Sequence, residues 1–214
     1  MRQEPTRPFP PGARPSPGAT ALTGLAGRLR ALAPSCGPVR LIAVDGHAGS
    51  GKSTFARCLA AALGDAPVVH VDDIATHREL FAWTDRFRDE VLDPLSRGET
   101  ARYRVYDWER REFTARRELA PAHAVVVEGV GAGRRALRPY LACLLWMDLT
   151  AAQSWERGRL RDGPALDGFW DDWISAERAH FAADPTRPHA ALLVRGRAEG
   201  YAVLPGPGGA DGTP

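Results

Sequence analysis

The run Asp45-Gly46-His47-Ala48-Gly49-Ser50-Gly51-Lys52-Ser53-Thr54 sets the tightest limit on how this chain can fold. It follows an apolar, β-rich stretch, Val39–Val44, and opens a helical pattern over Lys52–Leu63. In that strand-to-helix context the spacing G-x-x-x-x-G-K-[ST] is a Walker A loop. Gly46, Gly49 and Gly51 let the backbone curl so that successive N–H groups point inward, and the following helix adds its positive N-terminal end. An anion is the natural occupant. Ala48, Gly49, Ser50 and Gly51 are expected to supply main-chain donors and Lys52 to reach the β/γ-phosphates. The Ser53 hydroxyl is expected to take one place on Mg²⁺, and Thr54 to support the helix start.

Composition sharpens this reading. Of the 28 Lys+Arg residues only Lys52 is a lysine. A GC-rich codon bias exchanges lysine for arginine wherever any positive charge will do. A compact ammonium and a planar guanidinium are not equivalent at a phosphate site, so the surviving lysine marks a specific need. The chain has no asparagine, which excludes the N-K-x-D base-reading motif of GTP-selective proteins and leaves ATP as the expected nucleotide.

The chain's 214 residues, 44% of them apolar, suit one ordinary domain. A net charge of +2 gives no excess for coating nucleic acid. No apolar run approaches the roughly 20 residues of a membrane span, and the start lacks a signal peptide's apolar centre. A cytoplasmic protein acting on a small molecule is expected, with self-association open. Cys36, Cys58 and Cys143 are too scattered for a disulfide framework or a zinc site. The Pro-rich residues 1–20 and the Gly/Pro-rich 205–214 are expected to be disordered tails around a folded domain at 21–204.

Within that domain Val39–Val44, Val68–Val71, Ala124–Val127, Leu141–Met147 and Ala191–Val194 look like buried strands. They alternate with helical patterns over Lys52–Leu63, Asp85–Arg97, Thr150–Arg161 and Trp170–Phe181. This order predicts an α/β three-layer sandwich on a mainly parallel sheet, with ligands beyond the carboxyl ends of its strands.

Three further segments would meet there. His70-Val71-Asp72-Asp73 ends the second strand and brings two carboxylates beside the loop, where Asp72 can orient an acceptor hydroxyl, take its proton or hold magnesium through water. An N-cap or a solvated turn is the plainer reading of such a pair. Val125-Val126-Val127-Glu128-Gly129 is a hydrophobic run ending in an acid, as Walker B segments do, and Glu128 can order the water around Mg²⁺. Arg157-Gly158-Arg159-Leu160-Arg161 reads as an arginine-bearing lid, led by Arg157 and Arg161, that neutralises moving charge and excludes water.

Together these segments resemble the uridine kinase group of P-loop kinases, which includes phosphoribulokinase, pantothenate kinase and nicotinamide riboside kinase relatives. The resemblance runs from about Leu41 to Arg195. It is carried by DGHAGSGKST, by VDDIATH in the place of D-[DS]-F-Y, by VVVEGV and by RGRLRD. It implies a five-stranded parallel sheet in order 2-3-1-4-5, Asp72 as base, Glu128 beside magnesium, Arg157 and Arg161 as lid, and Arg195 near the adenine. It also implies transfer of the γ-phosphoryl of ATP to a hydroxyl, with a nucleoside such as uridine or cytidine as first choice.

The departures fall on the acceptor side. Ile74-Ala75 stands where the group has Phe-Tyr. Tyr106-Asp107-Trp108 is similar to the group's Tyr-Asp-Phe, but Arg111 lies near the place of a histidine found in nucleoside-specific members. Asp73, Trp83, Tyr106 and Arg111 are the expected acceptor contacts. Arg104, Arg110 or Arg111 would suit an acidic acceptor, and a specialised metabolite such as a sugar, antibiotic or vitamin precursor is the second choice. An ATP-binding regulatory module, docking through the Pro-rich tail, is the rival of another class.

Overall fold

The computed structural model describes residues 17–209. The first helix, α1 (Pro17–Ala31), leads into β1 (Arg40–Asp45), α2 (Lys52–Ala62) and β2 (Val68–His70). Next comes α3, residues 84–96, made of Thr84–Phe87, a π-helical turn Arg88–Leu92, and Asp93–Ser96. A hairpin of β3 (Ala101–Asp107) and β4 (Glu112–Leu119) precedes β5 (Ala124–Glu128) and β6 (Cys143–Met147). The chain closes with α4 (Ala151–Asp162), α5 (Asp167–Ala183), β7 (Leu192–Arg197) and β8 (Gly200–Pro205).

The central sheet runs β2-β5-β1-β6-β7-β8. Its first five strands are parallel and follow the expected order 2-3-1-4-5. The sixth, β8, pairs antiparallel with β7, and the β3–β4 hairpin forms a separate two-stranded sheet. Neither was expected from the sequence.

Both faces of the sheet are covered, which explains the unbroken apolar runs of its strands. Leu41, Ala43, Val125, Val127, Leu144 and Trp146 pack on one side with Phe87, Val91 and Leu95 of α3. Their sequence neighbours Ile42, Val44, Val126, Leu145 and Met147 pack on the other with Leu25 and Leu29 of α1 and Phe55 and Leu59 of α2. Side chains two apart share a face, so each strand feeds two cores.

The tail boundaries need correction. Residues 17–20 belong to α1, and β8 extends to Pro205. Gly206 and Gly208 donate to the carbonyls of Ala191 and Ala190. The remaining tails, 1–16 and 210–214, lie outside the described residues. Cys36 and Cys143 are buried free thiols, as small core residues would be. Among the described residues no helix is long and apolar enough to cross a membrane.

Candidate active site

The phosphate loop joins β1 to α2 at the carboxyl edge of the sheet. Gly51 caps α2 at φ 95 with open space where a Cβ would stand, and Gly49 sits at φ 81. A Cβ on Gly49 would lie 2.0 Å from the Ser154 carbonyl oxygen, so glycine is what lets the loop rest on α4. The main-chain N–H groups of Gly49, Gly51, Lys52 and Ser53 donate to no protein acceptor among the described residues. That row of unused donors at a helix start is a fit for phosphate oxygens. The buried Ser50 hydroxyl also lacks a partner. The Lys52 Nζ donates to the His47 carbonyl at 2.9 Å, within its own loop.

Two buried carboxylates hold the loop. Asp45 Oδ1 accepts from the N–H groups of Gly46 (2.7 Å) and Gly131 (2.9 Å), and Oδ2 from Gly133 (2.9 Å). Burial raises the Asp45 pKa, against the pull of those three donors and of Lys52. Glu177 on α5 accepts from His47 Nδ1 (2.7 Å), Ala48 N (3.1 Å), Trp155 Nε1 (3.0 Å) and Trp173 Nε1 (2.8 Å).

Beyond the loop lie the acids of β2 and β5. Asp72 is exposed, yet the protein crowded around its carboxylate raises its pKa first and the Glu128 carboxylate second, while Lys52 and His70 pull it down. Glu128 is buried, and its Oε1 lies 2.5 Å from His70 Nδ1. Among the described residues no cluster of three His, Cys, Asp or Glu side chains could hold a metal ion unaided. Ser53, Asp72 and Glu128 are the groups available to a hard cation that brings phosphate oxygens with it, the usual mode for Mg²⁺.

Three cavities adjoin through shared lining residues. The first, about 480 Å³, lies between Thr54, Asp148, Arg195 and Tyr201 on the side of β7 and β8. The second, about 330 Å³, covers Gly49, Lys52 and Ser53. The third, about 440 Å³, lies beside Asp72. Arg157 lines the first two and Arg161 the last two, so the two arginines expected to form a lid stand where the cavities share lining. Arg161 is paired with Asp162 at 2.6 Å. Arg195 is bound to Asp148 at 2.7 Å, and burial, which opposes this, is outweighed by Arg195 and Arg187 in lowering the Asp148 pKa.

The walls of the third cavity are aromatic: His77, Trp108, Phe169, Trp170 and Trp173. The Trp108 indole donates to the Asp72 carbonyl (2.9 Å), tying this wall to the candidate base. Trp170 and Trp173 are largely buried yet present faces to the cavity. His77, Glu109, Phe169 and Glu177 escaped sequence reasoning because their role comes from tertiary placement alone.

The four expected acceptor contacts fare differently. Trp83 is corrected: it is fully buried, beneath the Arg134 guanidinium at 3.7 Å, and cannot touch a ligand. Asp73 is engaged by Arg117 at 2.7 Å, away from the cavity lining. Arg111 sits in the exposed hairpin turn at φ 59. Tyr106 is buried outside the cavity lining, its hydroxyl 3.1 Å from His77 Nδ1. Arg104 points to Glu90 and Arg110 toward Asp107, so neither supplies a cation to the cavity.

The fold is shared with solved structures. The chain is similar to a "possible uridine kinase" from Bacillus stearothermophilus, with TM-score 0.58 and 16% identity over 81% of this chain and 97% of that one. It is also similar to a "putative fructose transport system kinase" from Silicibacter sp. TM1040, with TM-score 0.55 and 23% identity over 77% of this chain and 87% of that one. No family model matches the chain, and no curated protein matches its sequence. The likeness is one of architecture: this chain has the fold of the uridine kinase-like P-loop kinases.

Proposed function

We propose that this protein is an ATP- and Mg²⁺-dependent kinase that phosphorylates a hydroxyl of a ring-bearing small molecule, a nucleoside such as uridine or cytidine being the preferred acceptor. The observation that carries the reading is the adjacency of the three cavities: the one over the donor-lined phosphate loop shares Arg157 with a nucleotide-sized groove and Arg161 with an aromatic cavity beside Asp72. Flat aromatic walls suit a planar base. The cavity's ionisable lining is Asp72, Glu109, Asp162, His77 and Arg161, with Arg161 already paired, which disfavours a phosphorylated or carboxylate acceptor.

In this scheme the free N–H groups of Gly49, Gly51, Lys52 and Ser53, with the Lys52 ammonium, hold the β- and γ-phosphates. Magnesium, when bound through Ser53 and the Glu128 and Asp72 carboxylates, supplies neutralisation of phosphate charge. The raised pKa of Asp72 makes it a better proton acceptor than a free aspartate. The acceptor oxygen forms a bond to the γ-phosphorus as the bond to the β–γ bridging oxygen breaks, ADP leaves, and the hydroxyl proton passes to Asp72. Arg157 and Arg161 spread over the transferring group and exclude water.

The test is a panel of nucleosides and free sugars incubated with γ-labelled ATP and magnesium, with product identified by mass. Transfer to a pyrimidine nucleoside is the expected result. Transfer to fructose or another sugar alone would keep the kinase and replace the acceptor. ATP binding with no transfer to any compound would leave a regulatory module.

A further inference from the structure

Glu177 belongs to no recognised motif, yet no other carboxylate in the described chain gathers so many donors from so far apart. Its side chain is wholly buried. Oε1 takes the His47 ring and the Trp155 indole, and Oε2 takes the Ala48 main chain and the Trp173 indole. Burial alone would raise its pKa, but the bonds from His47, Trp173 and Ala48 outweigh it and hold the carboxyl below the usual range. A carboxylate with four donors is therefore the working form.

The four donors come from two sides of the site. His47 and Ala48 are the first turn of the phosphate loop, and the His47 carbonyl is the present acceptor of Lys52 Nζ. Trp173, one turn before Glu177 on α5, forms part of the aromatic cavity wall, as does Ala48. The His47 ring is wedged edge-on against Trp146, Trp155 and Phe181, leaving it little freedom to find another partner. The loop is thus held from the acceptor wall by one ion.

Resting on the kinase reading above, we propose that Glu177 is the positioning residue of the phosphate loop, setting nucleotide affinity from the acceptor side. An amide in its place would turn one oxygen into an N–H₂ group facing two donors, and the entry of the loop would lose its fixed register.

The test measures binding of the magnesium complex of AMP-PNP by calorimetry at 15 °C, with folding checked by circular dichroism. A folded Glu177→Gln variant is expected to bind at least about tenfold more weakly than the unaltered protein. Wild-type affinity in that folded variant overturns the proposal, because a role limited to stability would lower the melting temperature and leave affinity intact. If Glu177→Gln does not fold, Trp173→Phe decides, since it removes one donor and keeps the ring. An affinity about threefold weaker supports the proposal, and an unchanged one overturns it. Failure of the unaltered protein to bind AMP-PNP would strike the kinase reading instead, so the two failures are distinct.

Discussion

His70 and Glu128 are cross-strand neighbours at the carboxyl edge of the sheet, with His70 Nδ1 2.5 Å from Glu128 Oε1. The bond fixes the buried carboxylate and raises the pKa of His70. The same carboxylate, together with desolvation, pushes the Asp72 pKa upward. The last residues of β2 and β5 thereby tune the acid that follows β2.

Asp72→Asn keeps the size of the side chain and removes its proton affinity. Turnover is expected to fall by about two to four orders of magnitude, with the dissociation constant of AMP-PNP measured without magnesium changed by less than about threefold. Steady-state kinetics beside calorimetry checks the split; near-normal turnover would take Asp72 out of its role.

Trp83 is a core residue, so its substitution should act on stability alone. Trp83→Ala is expected to cost about 3–5 kcal/mol in urea unfolding, whereas the milder Trp83→Phe should leave acceptor KM unchanged. A raised KM in a stable Trp83→Phe protein would restore the ligand contact that burial argues against.

Much of this was legible in the sequence and some was not. The five parallel strands and the loop declare themselves because their signals are local: unbroken apolar runs, glycines at fixed spacing, one lysine. Ala101 and Tyr103 buried beside exposed Arg102 and Arg104 give β3 the alternation of a half-buried strand, a signal present but masked by charge. The helix α1 contains Gly18, Gly24 and Gly27, which local propensity reads as loop, and is held by burial of Leu25 and Leu29. Glu177 had no sequence signal, since its His47 partner lies 130 residues away. Trp83 misled because an aromatic near a site reads alike whether it faces ligand or core.

Gly158 on α4 faces Trp170, where an added Cβ would stand 2.2 Å from the indole. Gly158→Ala is expected to cost about 1–3 kcal/mol by overpacking and to raise acceptor KM by moving a cavity wall. Thermal melts and kinetics check both, and an unchanged melting temperature would show that α4 and α5 yield freely.

His180 gives the fold a defined acid sensitivity. Burial first, and Arg134 second, lower its pKa to about 4, with Asp184 and Glu177 pulling the other way. In the unfolded chain the ring takes a proton near pH 6.5. The stability is therefore present above about pH 6.5 and drains away as pH falls toward 4, a loss of up to about 3 kcal/mol. His180→Phe, which retains a ring against Phe81, is expected to flatten urea midpoints across that window; an identical slope would assign the loss to other groups.

The central claim is that the loop from Gly46 to Thr54 grips a triphosphate through Lys52. Calorimetric titration of the protein and of Lys52→Ala with magnesium AMP-PNP tests it most directly. Saturable one-to-one binding that Lys52→Ala weakens by about two orders of magnitude or more is the predicted result. The absence of heat in the unaltered protein, or equal affinity in Lys52→Ala, would contradict it.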